Sequence, residues 1–193
     1  MKIKEQSLYE LCGKVMARYG RGDQGETILR SGLRVWKDDE RVETCGMIDE
    51  LSSIIGVARS MTNEDEVSKI LLKIQEHLFL IGAEISSLKD DDYIKEIEEE
   101  HLKFLEENVE RYESKLPKPS GFIYPGGTMA ASILHFARAV ARRAERRFIS
   151  LSRRFRVNPI AMAYLNRLST LLYILARYLN HRDGVEELVW RRS

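Results

Sequence analysis

From Asp39 onward, apolar residues recur at intervals of three and four in five separate stretches, the period of helices with one buried face. Ile48, Leu51, Ile55 and Ala58 predict a first helix from Asp39, a capping residue, to about Met61. Asn63 opens a second, ending near Leu88, with Val67, Ile70, Leu71, Ile74, Leu78, Ile81 and Ile85 inward. The acidic run Asp90 to Asp92 is expected to cap a third, from about Tyr93 to Lys115, through Ile94, Ile97, Leu102, Leu105, Val109 and Tyr112. Pro117 and Pro119 stop it, because proline disfavours helical geometry in the residue before it. A fourth helix spans about Thr128 to Arg154, with Ala130, Ile133, Ala137, Val140, Ala141, Ala144, Phe148 and Leu151 on one face. Val157, Asn158 and Pro159 start a fifth, carrying Met162, Leu165, Leu168, Leu172, Leu175 and Leu179. Short connections between five amphipathic helices predict an all-α, up-and-down five-helix bundle.

Outside the helices the pattern weakens. Residues 18–37 are rich in glycine and charge and read as an ordered loop or a disordered tail. Val185 to Trp190 reads as a short strand or a clasp. One domain over residues 18–193, after an extension at 1–17, accounts for the whole chain.

Composition narrows the class. The chain has 193 residues, 44% of them hydrophobic, which suffices for one real core. Formal net charge is +1, so any basic patch is local and a nucleic-acid surface is disfavoured. Two cysteines, Cys12 and Cys45, make neither a disulfide framework nor a metal site and point to a reducing cytoplasm. No apolar run is read as a membrane span, and the N-terminus lacks the apolar core of a signal peptide.

The densest chemistry lies between Phe122 and Arg147, where a Pro125-Gly126-Gly127 turn opens into the fourth helix. On a helical projection Arg138, Arg142 and Glu145 form one edge beside the apolar face, and Arg143, Arg147 and Arg154 form the other. Arginines at the margin of a core act at reduced dielectric and bind polyanions strongly, so a phosphate site is expected. The loop from Gly22 to Thr27, which includes Asp23, has backbone able to approach a ligand but lacks the lysine of a Walker loop. Asp49 shares its edge with Val42, Cys45, Ser52 and Gly56, which predicts a half-buried carboxylate in need of a partner. Asn166, Thr170, Tyr173 and Arg177 form a polar stripe on the fifth helix, and its Asn is either a buried register residue or a ligand contact. A carboxylate-bridged di-iron site needs two Glu-x-x-His motifs, and only Glu98 to His101 fits; no other metal cluster or catalytic triad is visible.

In order, Gly22 to Thr27, Lys37-Asp38-Asp39 with Arg41-Val42, Asp49 to Ser53, Phe122 to Gly127, Arg142 to Arg147 and Asn166 to Ser169 resemble the blocks of the PduO-type ATP:cob(I)alamin adenosyltransferases. The resemblance covers about Tyr19 to His181 and implies a ferritin-like bundle assembled as a homotrimer with sites between subunits. It implies transfer of the 5′-deoxyadenosyl group of ATP to the cobalt of cob(I)alamin, releasing triphosphate. It assigns ATP to Tyr19, Gly20, Arg21, Gly22, Asp23, Thr27, Lys37, Arg142, Arg143, Glu145, Arg146 and Asn166, with Lys37 and Arg142 on the phosphates and Mg²⁺ accompanying them. Phe122 is implied to press on the lower corrin face, and Asp49 to pair with Arg138, across subunits if not within one. Partners implied are ATP, cobalamin, a reductase and cobalamin-dependent enzymes, with no nucleic acid and no membrane. Three positions depart from the family pattern: Tyr19-Gly20-Arg21, where Arg21 stands one place from the usual basic residue; Tyr124 for leucine; and Thr170 for aspartate. The alternative is a non-catalytic homologue that binds ATP or cobalamin and stores or delivers it.

Overall fold

The computed structural model describes residue 20, residues 22–89 and residues 92–191. The 1–17 extension, Cys12, Tyr19, Arg21, Asp90 and Asp91 lie outside the described residues. Five helices form the body: α1 (Glu40–Met61), α2 (Asp65–Ser87), α3 (Glu99–Glu113), α4 (Met129–Ser152) and α5 (Pro159–Arg182). Side chains cap three of them: Asp39 as expected, and Thr128 and Asn158 at the expected helix starts. Asp39 accepts from Arg41 N, Thr128 from Ala131 N and Asn158 from Ile160 N, each satisfying a backbone donor that the first turn leaves free.

The helices pack in the order α2, α1, α4, α5, α3, and side chains close α3 back onto α2 through Arg111 and Glu66 at 3.6 Å. Successive helices alternate in direction. Their stripes of Leu, Ile and Ala meet in one continuous core running from Ile48 to Leu179. Burying each Leu or Ile stabilises by about 1.5–3 kcal/mol, so register is set by the apolar stripes rather than by the polar faces.

Three expectations are corrected. Residues 18–37 are not simply loop or tail: β1 (Glu26–Ile28) and β2 (Arg34–Trp36) form an antiparallel hairpin, with Thr27 opposite Val35. It closes through Gly32 at φ 82°, a left-handed position that suits glycine, and docks where Arg30 N donates to Ser86 Oγ at the end of α2. The third helix begins at Glu99, not Tyr93. The buried Glu84 carboxylate takes the Glu96 and Ile97 N–H groups at 2.6 and 2.7 Å, holding that segment extended until Glu98 caps the helix. Lastly, α5 is long and apolar enough by length and composition to cross a membrane, yet its leucines line the core against α4 and α3.

Candidate active site

Helix α4 presents arginines on both of its edges, and the two edges meet different surroundings. On one, Arg143, Arg147 and Arg154 face α1 and pair with Glu50 at 2.6 Å, Glu43 at 3.9 Å and Glu40 at 2.9 Å. On the other, Arg138 and Arg142 line a cleft of about 610 Å³ and make no ion pair among the described residues. Arg146 lies exposed between the edges.

The cleft is bounded by the Gly121–Pro125 loop, by His135, Arg138 and Arg142 of α4, and by Ser169, Thr170 and Tyr173 of α5. Its size falls in the range that holds a small-molecule ligand, about 300–1,000 Å³. Phe122 stands at its rim 81% exposed, an aromatic ring with no protein surface to cover it. The Pro125-Gly126-Gly127 turn is fixed from α5: Asn180 donates to Gly126 O at 2.8 Å and accepts from Thr128 N at 2.9 Å. Gly127 has φ 108°, and a Cβ there would run into the Asn180 amide.

Polar groups inside the cleft are incompletely satisfied. Arg138 Nε and His135 Nδ1 are buried without a hydrogen-bond partner among the described residues, a costly condition that a bound polar ligand would relieve. Burial, reinforced by the Arg138 charge, lowers the His135 pKa, so the imidazole is neutral at pH 7. The Arg138 guanidinium lies 6.0 Å from the centre of the Tyr173 ring. One turn along, Asn166 donates to Glu145 at 2.8 Å, and Arg167 bonds both Asn166 and Glu106. Glu145 and Asn166 are therefore joined across the α4–α5 seam beside Arg142.

The remaining predicted residues sit elsewhere. Gly20, with φ 87°, and Gly22, Asp23 and Thr27 belong to the turn and hairpin preceding α1. Gly25 N donates to Gly22 O, and Lys37 N to Gly25 O. The Lys37 ammonium crosses directly over Gly22, so a Cβ there would stand 2.7 Å from Nζ. This loop lies at the end of the bundle where α1 starts and α4 finishes, as the Glu40–Arg154 pair shows. Arg142 is twelve residues back along α4, about 18 Å at 1.5 Å per residue, and Phe122 precedes the far end. One chain therefore does not bring the glycine loop and Lys37 together with Arg142 and Phe122.

Asp49 is exposed rather than half-buried and does not pair with Arg138 in the chain. Its neighbours Cys45 and Ser52 face α2, on the side away from the cleft. The Glu98 to His101 motif is a capping box, in which the Glu98 N–H donates to His101 Nδ1 at 3.0 Å. Among the described residues no three His, Cys, Asp or Glu side chains converge as for a metal ion.

The profile of cobalamin adenosyltransferases matches residues 18–179, most of the chain. This chain belongs to the cobalamin adenosyltransferase family. A corrinoid adenosyltransferase of Bacillus subtilis (strain 168) is 38% identical over 177 residues, covering 89% of this chain and 90% of the relative. The human corrinoid adenosyltransferase is 35% identical over 188 residues, covering 89% and 72%. A variant PduO-type ATP:corrinoid adenosyltransferase from Lactobacillus reuteri, complexed with cobalamin and ATP, superposes with a TM-score of 0.86 at 34% identity, covering 91% of this chain and 96% of that one.

Sequence reasoning placed no role on His135, Asn180 or Glu187. His135 is three residues before Arg138 and seven before Arg142, so its share in the stripe was readable. Asn180 bonds the turn at Gly126 and Thr128, and Glu187 pairs with Arg177, contacts that no local pattern marks.

Proposed function

We propose that this protein is an ATP:corrinoid adenosyltransferase working as a homotrimer with each active site completed by two chains. The observation that carries the reading is the pair of arginines, Arg138 and Arg142, that make no ion pair among the described residues and line a cleft with the exposed Phe122 at its rim. The separation of the Gly22–Lys37 loop from that cleft supports a composite site, with loop and cleft supplied by neighbouring chains. Exposed apolar side chains such as Phe79 and Phe136 provide surface for such an assembly.

In this reading the cobalt lone pair of cob(I)alamin attacks the ATP C5′, the C5′–O bond breaks, a Co–C bond forms, and triphosphate leaves with the bonding electrons. Cobalt is the nucleophile, so the protein needs no general base. Its work is alignment and stabilisation of the departing charge. Arg142 and Lys37 bind the triphosphate with Arg146 near them, whereas Arg143, assigned to ATP by the resemblance, is engaged by Glu50 on the opposite edge; Mg²⁺ would supply further neutralisation of phosphate charge. Gly20, Arg21, Gly22, Asp23 and Thr27, with Tyr19, enclose the nucleotide. Glu145 and Asn166 fix the seam that orients it. Phe122 meets the lower corrin face and excludes an axial ligand, which makes Co(II) easier to reduce. Asp49 pairs with Arg138 of a neighbouring chain. A reducing cytoplasm suits both a Co(I) substrate and the free thiol of Cys45.

The test is anaerobic: protein, Mg-ATP and chemically reduced cob(I)alamin, followed by loss of the Co(I) absorbance. Adenosylcobalamin and triphosphate in equal amounts are expected. Binding of ATP or cobalamin with neither product would replace the enzyme by a storage or delivery protein.

A further inference from the structure

Phe122 raises a physical problem. Its ring is 81% exposed, so packing does not hold it, and its place depends on the backbone beneath it. That backbone is held by the end of the chain. Trp190 N donates to Phe122 O at 2.6 Å and Tyr124 N to Leu188 O at 2.8 Å, with Ile123 opposite Val189 in an antiparallel bridge. So short a pairing is not stable alone. The tail is in turn fastened to α5. Glu187 accepts from Arg177 Nε through both oxygens at 3.0 and 3.1 Å, while Arg177 Nη2 donates to Pro117 O at 2.9 Å. Arg177 is only 3% exposed, and its neighbour Asn180 accepts from Val185 N through its backbone carbonyl. One buried guanidinium thus ties together the segment entering the Phe122 loop and the strand that pairs with it.

We propose that Arg177 and Glu187 are positioning residues: through the 185–190 strap they set the place of Phe122 at the cleft. The inference rests on the adenosyltransferase reading for its consequence, though not for its geometry. A purely structural role is the competing account. Against it, none of residues 185–190 belongs to the hydrophobic core, so releasing the strap removes no core side chain. The Arg177 charge also lies 5.8 Å from the ring of Tyr173, which lines the same cleft.

The test compares full-length protein with Glu187→Gln, which removes the charge of the Arg177 partner, and with a chain ended after Gly184, which removes the strap together with Glu187. Two readouts are taken: amide hydrogen exchange across residues 121–127, and turnover started either from cob(II)alamin with reductant or from pre-formed cob(I)alamin. Both variants should exchange the Tyr124 amide at least about tenfold faster while α4 and α5 keep their protection. Turnover from Co(II) should fall about tenfold and turnover from Co(I) less than about twofold, and adding Phe122→Ala to Glu187→Gln should cost nothing further. Unchanged protection at Tyr124 in the shortened chain would overturn the proposal, as would equal losses from both starting states or additive losses in the double variant. If the unmodified protein makes no adenosylcobalamin, the enzyme reading fails, and the exchange measurement still decides whether the strap holds the loop.

Discussion

The two edges of α4 carry the same residue type at the same spacing and come to opposite ends. Toward α1, Arg143, Arg147 and Arg154 each find a glutamate, at 2.6, 3.9 and 2.9 Å. Toward α5, Arg138 and Arg142 find no carboxylate among the described residues, and Arg138 Nε is buried with no acceptor among them. Glu145, the acid on that edge, is occupied by Asn166 at 2.8 Å rather than by an arginine. A half-exposed pair on the first edge is worth roughly 0–1 kcal/mol and serves packing. On the second, Arg138 is the residue proposed to meet Asp49 of a neighbouring chain, and the charge of Arg142 remains available to a polyanion in a partly enclosed cleft. An arginine's partner, rather than its presence, separates a site from a surface.

The largest expected effect tests the open edge. Arg142→Ala should cut turnover by at least about 100-fold, or roughly 3 kcal/mol of transition-state stabilisation, as for removal of other preorganised charge stabilisers. Helix content and oligomer size should stay unchanged in circular dichroism and sizing.

A pH series asks what else limits the fold when neither edge is touched. His77 is buried between Tyr164, which it bonds at 3.0 Å, and His101, and burial pushes its pKa down to about 4. The folded pKa lies below the unfolded value of about 6.5, so the unfolded chain binds the extra proton between them. Stability is therefore full above pH 6.5 and is lost as pH falls toward 4, by at most about 3 kcal/mol from this group. Denaturant melts should show that slope, and His77→Phe should flatten it.

Smaller effects sharpen the contrast at the cleft. Phe122→Ala should lower turnover started from cob(II)alamin about tenfold while sparing turnover from pre-formed cob(I)alamin, since excluding an axial ligand matters to reduction. Equal losses would remove the ring from that role. On the closed edge, Glu50→Gln should change stability by less than about 1 kcal/mol in urea melts. A larger loss would mean that the α1–α4 pairs carry more than an exposed salt bridge.

Most of the body was legible because helix period is local. The core stripes of Leu and Ile in α2 and α5, and the caps Asp39, Thr128 and Asn158, are each written within a few residues. What escaped was written at long range. The start of α3 depends on Glu84, twelve residues before Glu96, capturing backbone donors that would otherwise begin the helix. The hairpin at Glu26 and Arg34 has strands of three residues, too short for alternation to stand out. The helical projection separated Arg138 and Arg142 from Arg143, Arg147 and Arg154, but it could not say which side faced acids. That depended on α1 packing beside α4, a tertiary fact. Asp49 failed for the same reason: small neighbours suggested burial, and the fold leaves it exposed.

If function lies on the α5 edge of the arginine helix, Arg142 and Arg143 must separate in turnover. The most direct test is anaerobic turnover of Arg142→Ala and Arg143→Ala side by side with saturating cob(I)alamin and a series of Mg-ATP concentrations. The account predicts that kcat/KM for ATP collapses in the first and falls less than about threefold in the second, whose arginine already has Glu50. Equal collapse in both, or a greater loss in Arg143→Ala, would contradict it.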